Sequence, residues 1–261
     1  MLPLEMPSII YHYCNKDVLE SILKSHEIHL TFASNVRNDP EECRHKDIEE
    51  IICNELIKRD VKLYELYRLN QTMEPCLACF SDYPNEYLMT NYIGNNGGII
   101  GFDVEELKKN YLIPNNISGM FAGRKCLSLN RVIYYEKTKN LQQQISTLIS
   151  DIMRSKDLDS GINLICSINL LHLSRIFKPI KYSKEIEYRL IMVPWPLSPR
   201  ELPNSLSNLK TKKICGKQMR YIPLPFSDIL VKNVISTLPL DKDVYKMYPH
   251  VIFYTNIRPT S

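Results

Sequence analysis

Lys184-Glu185-Ile186-Glu187-Tyr188-Arg189-Leu190-Ile191-Met192 is the stretch around which this chain can be read. Ile186, Tyr188, Leu190 and Met192 alternate with Glu185, Glu187, Arg189 and Ile191, the period of two that a half-buried strand needs. Ile191 breaks the alternation, which predicts burial on both faces toward the strand's end. The same period puts Glu185 and Glu187 on one side, with Arg189 next in the row. Two carboxylates at i and i+2 raise each other's pKa, and a nearby guanidinium lowers it. Taken alone, such a row is a solvated strand face stapled by an ion pair; the rest of the chain decides whether it is more.

With 261 residues, 44% hydrophobic and 24% charged, the chain has the composition of a globular protein with a real core. A net charge of +4 permits contact with nucleic acid without arguing for it. Only 8 glycines are present against 16 tyrosines, and neither a P-loop nor a Gly-x-Gly-x-x-Gly pattern occurs, so phosphate binding by a glycine-rich loop is not expected. No secretory signal and no apolar run of membrane-spanning length is visible, which predicts no membrane contact. The 8 cysteines are scattered, mostly in apolar surroundings, as suits reduced thiols in a cytoplasmic protein. Cys76-x-x-Cys79 has no second pair to complete a zinc site, so no metal is expected.

Working outward, Ser8–Cys14 reads as the first strand, Asn15 as the cap of a helix over Lys16–Lys24, and Ile28–Phe32 as a second strand. Asp39, Pro40 and Glu42 form a capping box for a long helix, continuous or with one break, running to Leu69. Cys76–Ser81 is a short strand. Asn85 caps a helix carrying Tyr87, Leu88, Met89, Tyr92 and Ile93. Ile99–Phe102 is a buried strand, and Asp103 with Glu106 boxes a helix to about Tyr111. A strand at Arg131–Tyr135 precedes a helical insertion at about 137–177, in two pieces, the second a central buried helix ending near Phe177. Residues 194–213 read as a long surface loop. Strands at Arg220–Leu224, Ile229–Ile235 and His250–Tyr254 complete the chain. Helices and strands alternate irregularly, which favours a single α+β domain over 1–261, built on a twisted mixed sheet with flanking helices.

Several of these pieces together resemble a bacterial family of unknown function. They are the Ile10-Tyr11-His12-Tyr13 strand with its Leu19-x-x-Ile22-Leu23 helix, and the Asn38-Asp39-Pro40-Glu41-Glu42 turn. Cys79-Phe80-Ser81 and Lys181…Glu185-Ile186-Glu187-Tyr188-Arg189 complete the set. The likeness spans about Ser8 to Val234, and departs where the family's Trp after Met is Thr90. More remotely, the layout looks like the ADP-ribosyltransferase superfamily, which implies a split sheet and NAD as substrate. By that resemblance His12 and Glu187 would face each other across a dinucleotide-sized gap. Glu187 would be catalytic and Glu185 would position the acceptor. His12, either Ser81 or Tyr92, and Arg189 would contact NAD.

The chemistry implied is transfer from NAD through an oxocarbenium-like state, which a carboxylate stabilises. The acceptor would be a macromolecule, nucleic acid or protein, and the chain a toxin or anti-phage effector with an antitoxin partner. For a nucleic acid, Arg124, Lys125, Lys210, Lys212 and Lys213 are candidate phosphate contacts. The alternatives are NAD hydrolysis, and a sensor or interaction domain of the same fold without turnover.

Overall fold

A computed structural model describes residues 6–35, 43, 45–109, 125–138, 140–154, 169–194, 209–214 and 217–255. In these the chain is a mixed α/β protein built on one ten-stranded sheet. Strand β1 (Ile9–Asn15) leads into helix α1 (Lys16–Ser25), whose N-cap Asn15 accepts the Val18 amide at 2.9 Å. His26 then turns left-handed (φ 52°) and releases the chain into β2 (Glu27–Phe32). The long helix divides at Asp60 into α2 (Lys46–Arg59) and α3 (Val61–Gln71), because Asp60 is extended and its carboxylate caps Leu63 at 3.0 Å. The capping box at Asp39 lies outside the described residues.

After β3 (Cys76–Ser81), Asn85 caps the short α4 (Glu86–Leu88), which widens into a π-turn at Met89–Ile93. Strand β4 (Gly97–Asp103) follows, and Asp103 caps α5 (Val104–Leu107) through the Glu106 amide. Strands β5 (Lys125–Arg131) and β6 (Ile133–Tyr135) flank a break at Val132, and α6 spans Leu141–Arg154. The second helical piece expected up to Phe177 ends earlier. Leu173–Ile176 is 3-10, and Phe177–Pro179 forms strand β7, paired in parallel with β6. Pro179 cannot continue a helix, and the residue before a proline is driven toward extended backbone.

The opening stretch also differs from its reading. Ile180–Glu185 is 3-10 and Ile186 is left-handed (φ 45°), so strand β8 begins only at Glu187 and runs to Pro194. Of the loop expected at 194–213, residues 210–213 belong to strand β9 (Lys210–Ile214), paired with β10 (Lys217–Pro225); residues 195–208 lie outside the described set. Strand β11 (Val231–Ser236), helix α7 (Lys242–Met247) and β12 (Ile252–Thr255) close the fold.

The strand order is β12-β11-β4-β1-β3-β2-β10-β9, with β8 on β3 and β5 on β8. All pairings are antiparallel except β11 with β12, which makes the sheet mixed. β8 pairs with the whole of β3, from Cys76↔Met192 to Ser81↔Glu187. On the other edge of β3, β2 pairs with Cys76 and Leu77 while β1 pairs only with Ser81. Strands β1 and β2 therefore part along β3, and Cys79 lies where they separate.

One sheet face carries Ile10, Phe80, Tyr188, Leu190 and Ile222 and packs against Leu19, Ile22 and Leu23 of α1 and Val244 of α7. On the opposite face, Ile191 and Val193 pack beneath α2, α3 and α6 through Ile52, Tyr67 and Ile149. Tyr11, Tyr13 and Ile99 pack against Met89 and Ile93 in a separate apolar cluster. No helix among the described residues is long and apolar enough to cross a membrane.

Candidate functional site

Between those last two clusters, at the end of β3 where β1 touches it, lies a polar seam. Glu187 opens β8 opposite Ser81 and shares its face. The left-handed Ile186 swings Glu185 back so that both carboxylates reach one ammonium. Lys178 Nζ donates to Glu185 Oε2 at 2.6 Å and to Glu187 Oε2 at 2.9 Å. Arg189 donates from Nε to Glu187 Oε1 at 2.7 Å and also to the Arg175 carbonyl at 2.5 Å. Tyr92 donates its hydroxyl to Glu185 Oε1 at 2.9 Å, and Tyr134 accepts the Glu187 amide at 2.9 Å. A β-branched residue such as Ile186 occupies the left-handed region only at a cost of about 1–3 kcal/mol.

The glutamates are 5% and 4% exposed, Lys178 3% and Arg189 0%. Burial pushes both carboxyls up, but the outcomes diverge. For Glu187, Arg189 and Lys178 outweigh burial and hold it well below the usual carboxylate range. For Glu185, burial and the neighbouring Glu187 outweigh Lys178, and its pKa is raised. Burial and the Glu185 charge also raise the Tyr92 phenol. Burial of two such charges is expensive unless they are paired and hydrogen-bonded, which these are.

Glu185, Glu187, Arg189 and Tyr92 are thus brought together. Ser81 lies beside them in register, but the residue is 0% exposed and its hydroxyl donates to the Tyr83 carbonyl at 2.7 Å, fixing the turn after β3. Arg189, expected to contact NAD, is buried and places its guanidinium behind Glu187. His12 is not part of the seam. Its ring shares a face with Ile10, packs 5.5 Å from Phe80, and donates from Nδ1 to the Cys79 carbonyl at 2.8 Å. Since Tyr11 is the residue in register with Ser81, alternation turns His12 to the face opposite Glu187. The expected His12–Glu187 encounter is therefore corrected: the imidazole fills the parting between β1 and β2. Tyr13, on the Ser81 side of β1, lies 3.2 Å from the Ser81 hydroxyl.

Lys178 escaped the sequence reading, which placed the motif lysine at Lys181; Lys181 is exposed. A lone charge within Ile176-Phe177-Lys178-Pro179 was the available signal. Of the lysines considered for phosphate contact, Lys210 pairs with Glu27 at 2.7 Å, Arg124 lies outside the described residues, and the side chains of Lys125, Lys212 and Lys213 are not described. Among the described residues no three His, Cys, Asp or Glu side chains are grouped to hold a metal ion. Cys76 and Cys79 face opposite sides of β3, and burial pushes the Cys76 thiol up to about 12. Comparison with family models, curated proteins and solved structures gave no significant match.

Proposed function

We propose that the chain is an NAD-dependent ADP-ribosyltransferase acting on a macromolecule, with its chemistry at Glu187 and Glu185. The observation that carries this reading is a pair of adjacent carboxylates whose surroundings drive their protonation in opposite directions, the arrangement that separates a charge stabiliser from a proton carrier. Glu187, held ionised, would stabilise the positive charge that develops on the nicotinamide ribose as the glycosidic bond breaks and nicotinamide leaves with the bonding electrons. Glu185, nearer neutrality, would take the proton from the attacking acceptor hydroxyl, amine or amide, with Tyr92 orienting it. Tyr87 and Tyr92, exposed at the mouth of the seam, offer faces for a planar base. The parting of β1 and β2 supports the split-sheet likeness. His12 keeps no role toward NAD in this reading, and Tyr13 is the β1 side chain on the glutamate side.

A second reading, a binding domain without turnover, is favoured by the near-complete burial of both carboxylates and by the cations already engaging Glu187. The deciding experiment follows nicotinamide release from labelled NAD in a cell extract, for wild type and Glu187→Gln. The proposal expects release and transfer of label to protein or RNA, lowered at least about 100-fold by the substitution. Release that Glu187→Gln leaves unchanged refutes the assignment; none from wild type establishes the second reading.

A further inference from the structure

We propose that Lys178 is the positioning residue of this site: its ammonium bonds both Glu185 and Glu187 and clamps the two carboxylates side by side. The inference rests on the proposed transferase reading and extends it to a residue outside the opening stretch. Lys178 sits on β7 with its backbone fixed by the parallel pairing Tyr134↔Lys178. The two residues of that pair act on the same strand start, Tyr134 on the Glu187 amide and Lys178 on the Glu187 carboxylate. The Tyr182 ring lies 4.8 Å from Nζ and restricts where the ammonium can go. From Pro179 the chain returns through a 3-10 turn and the strained Ile186, and that return is what delivers Glu185 to the same nitrogen.

An ordinary structural ion pair would need one carboxylate per cation. Here Glu187 receives two cations and Glu185 shares one, so the four charges balance while their distribution is lopsided. Among the described residues, the other titratable side chains bonded at the pair are the phenols of Tyr92 and Tyr134, whose pKa values are raised, and the Cys79 thiol, which donates toward Glu187. None of them can replace the ammonium. Without it the carboxylates would face each other as like charges and share a proton.

The test compares Lys178→Met, Lys178→Arg and the charge-balanced double variant Lys178→Met with Glu185→Gln. One readout is the pH dependence of nicotinamide release; the other, independent of turnover, is the carbon-13 NMR titration of the glutamate carboxyls. Lys178→Met is expected to lower release at neutral pH about 100-fold. It should also move the acid limb, and the Glu187 carboxyl titration with it, upward by about one pH unit or more. Lys178→Arg restores the limb because a cation is still there. In the double variant the second carboxylate is gone, so the Glu187 carboxyl titration alone should return to its low position, and that readout carries the test if the single Met variant does not fold.

A merely structural lysine would lower the folded fraction and leave the limb and the titration where they are; that result overturns the inference. If wild type releases no nicotinamide, the transferase reading falls by itself. The carboxyl titration then still decides whether Lys178 holds the two carboxylates together.

Discussion

Replacing Arg189 with Met removes one guanidinium from a site whose charges balance with nothing to spare. Lys178 and Arg189 face Glu185 and Glu187, all four nearly fully buried. Arg189→Met leaves two carboxylates with one ammonium and strips the Arg175 carbonyl of its 2.5 Å donor. Breaking a buried pair by deleting one partner costs about 3–5 kcal/mol. Lys178 remains, so the lower end, about 3 kcal/mol, is expected. Against a total stability of roughly 5–15 kcal/mol this is a large share. Glu187→Gln leaves the opposite imbalance. The double variant restores balance with Lys178 and Glu185, and should therefore be more stable than the sum of the single losses by about 1–3 kcal/mol. Urea denaturation of the four proteins measures the cycle. An Arg189→Met loss below about 1 kcal/mol, or strict additivity in the double variant, would refute the charge accounting.

The remaining predictions concern the frame around the site. His12→Ala should cost about 1–3 kcal/mol, since it removes the hydrogen bond to the Cys79 carbonyl and the ring packed on Phe80, yet leave nicotinamide release per folded molecule unchanged; lost release at full stability would return His12 to the site. Gly98→Ala should lower Tm by about 2–10 °C, because a Cβ there meets the Ile235 carbonyl and Leu19 Cδ1 at 2.5 Å, and a calorimetric scan without a shift would contradict it. Acid should separate the glutamates. Glu187 is depressed in the fold, so its contribution is complete above about pH 4.3 and is lost as pH falls through the lower folded value. The stability gap between wild type and Glu187→Gln should therefore close in acid. Glu185 is raised, so Glu185→Gln should gain on wild type as pH rises above that same point; parallel pH profiles for the two variants would contradict both signs.

Local chemistry was legible in the sequence. Asn15, Asn85 and Asp103 cap the helices they were expected to cap, because a short side chain reaching its own helix needs no tertiary partner. The period of two located β8 and the burial of Ile191. What periodicity could not supply was the backbone at Ile186, where a left-handed residue ends the alternation one step early. Nor could it supply Lys178, whose meaning depends on β7 lying beside β6, a pairing far from the strand it serves. His12 was misplaced for a related reason. Alternation puts His12 and Tyr11 on opposite faces but does not say which of them accompanies Glu187; only the Tyr11↔Ser81 register settles that.

The imidazole in the parting between β1 and β2 has a mechanical consequence. At Cys79 the β1–β3 ladder, which holds at Tyr11↔Ser81, gives way to a side-chain hydrogen bond from His12, so this line is the crease along which the sheet bends at least expense. Glu187 lies opposite Ser81 beside that crease, so a bend there would shift the strand start that carries the carboxylate.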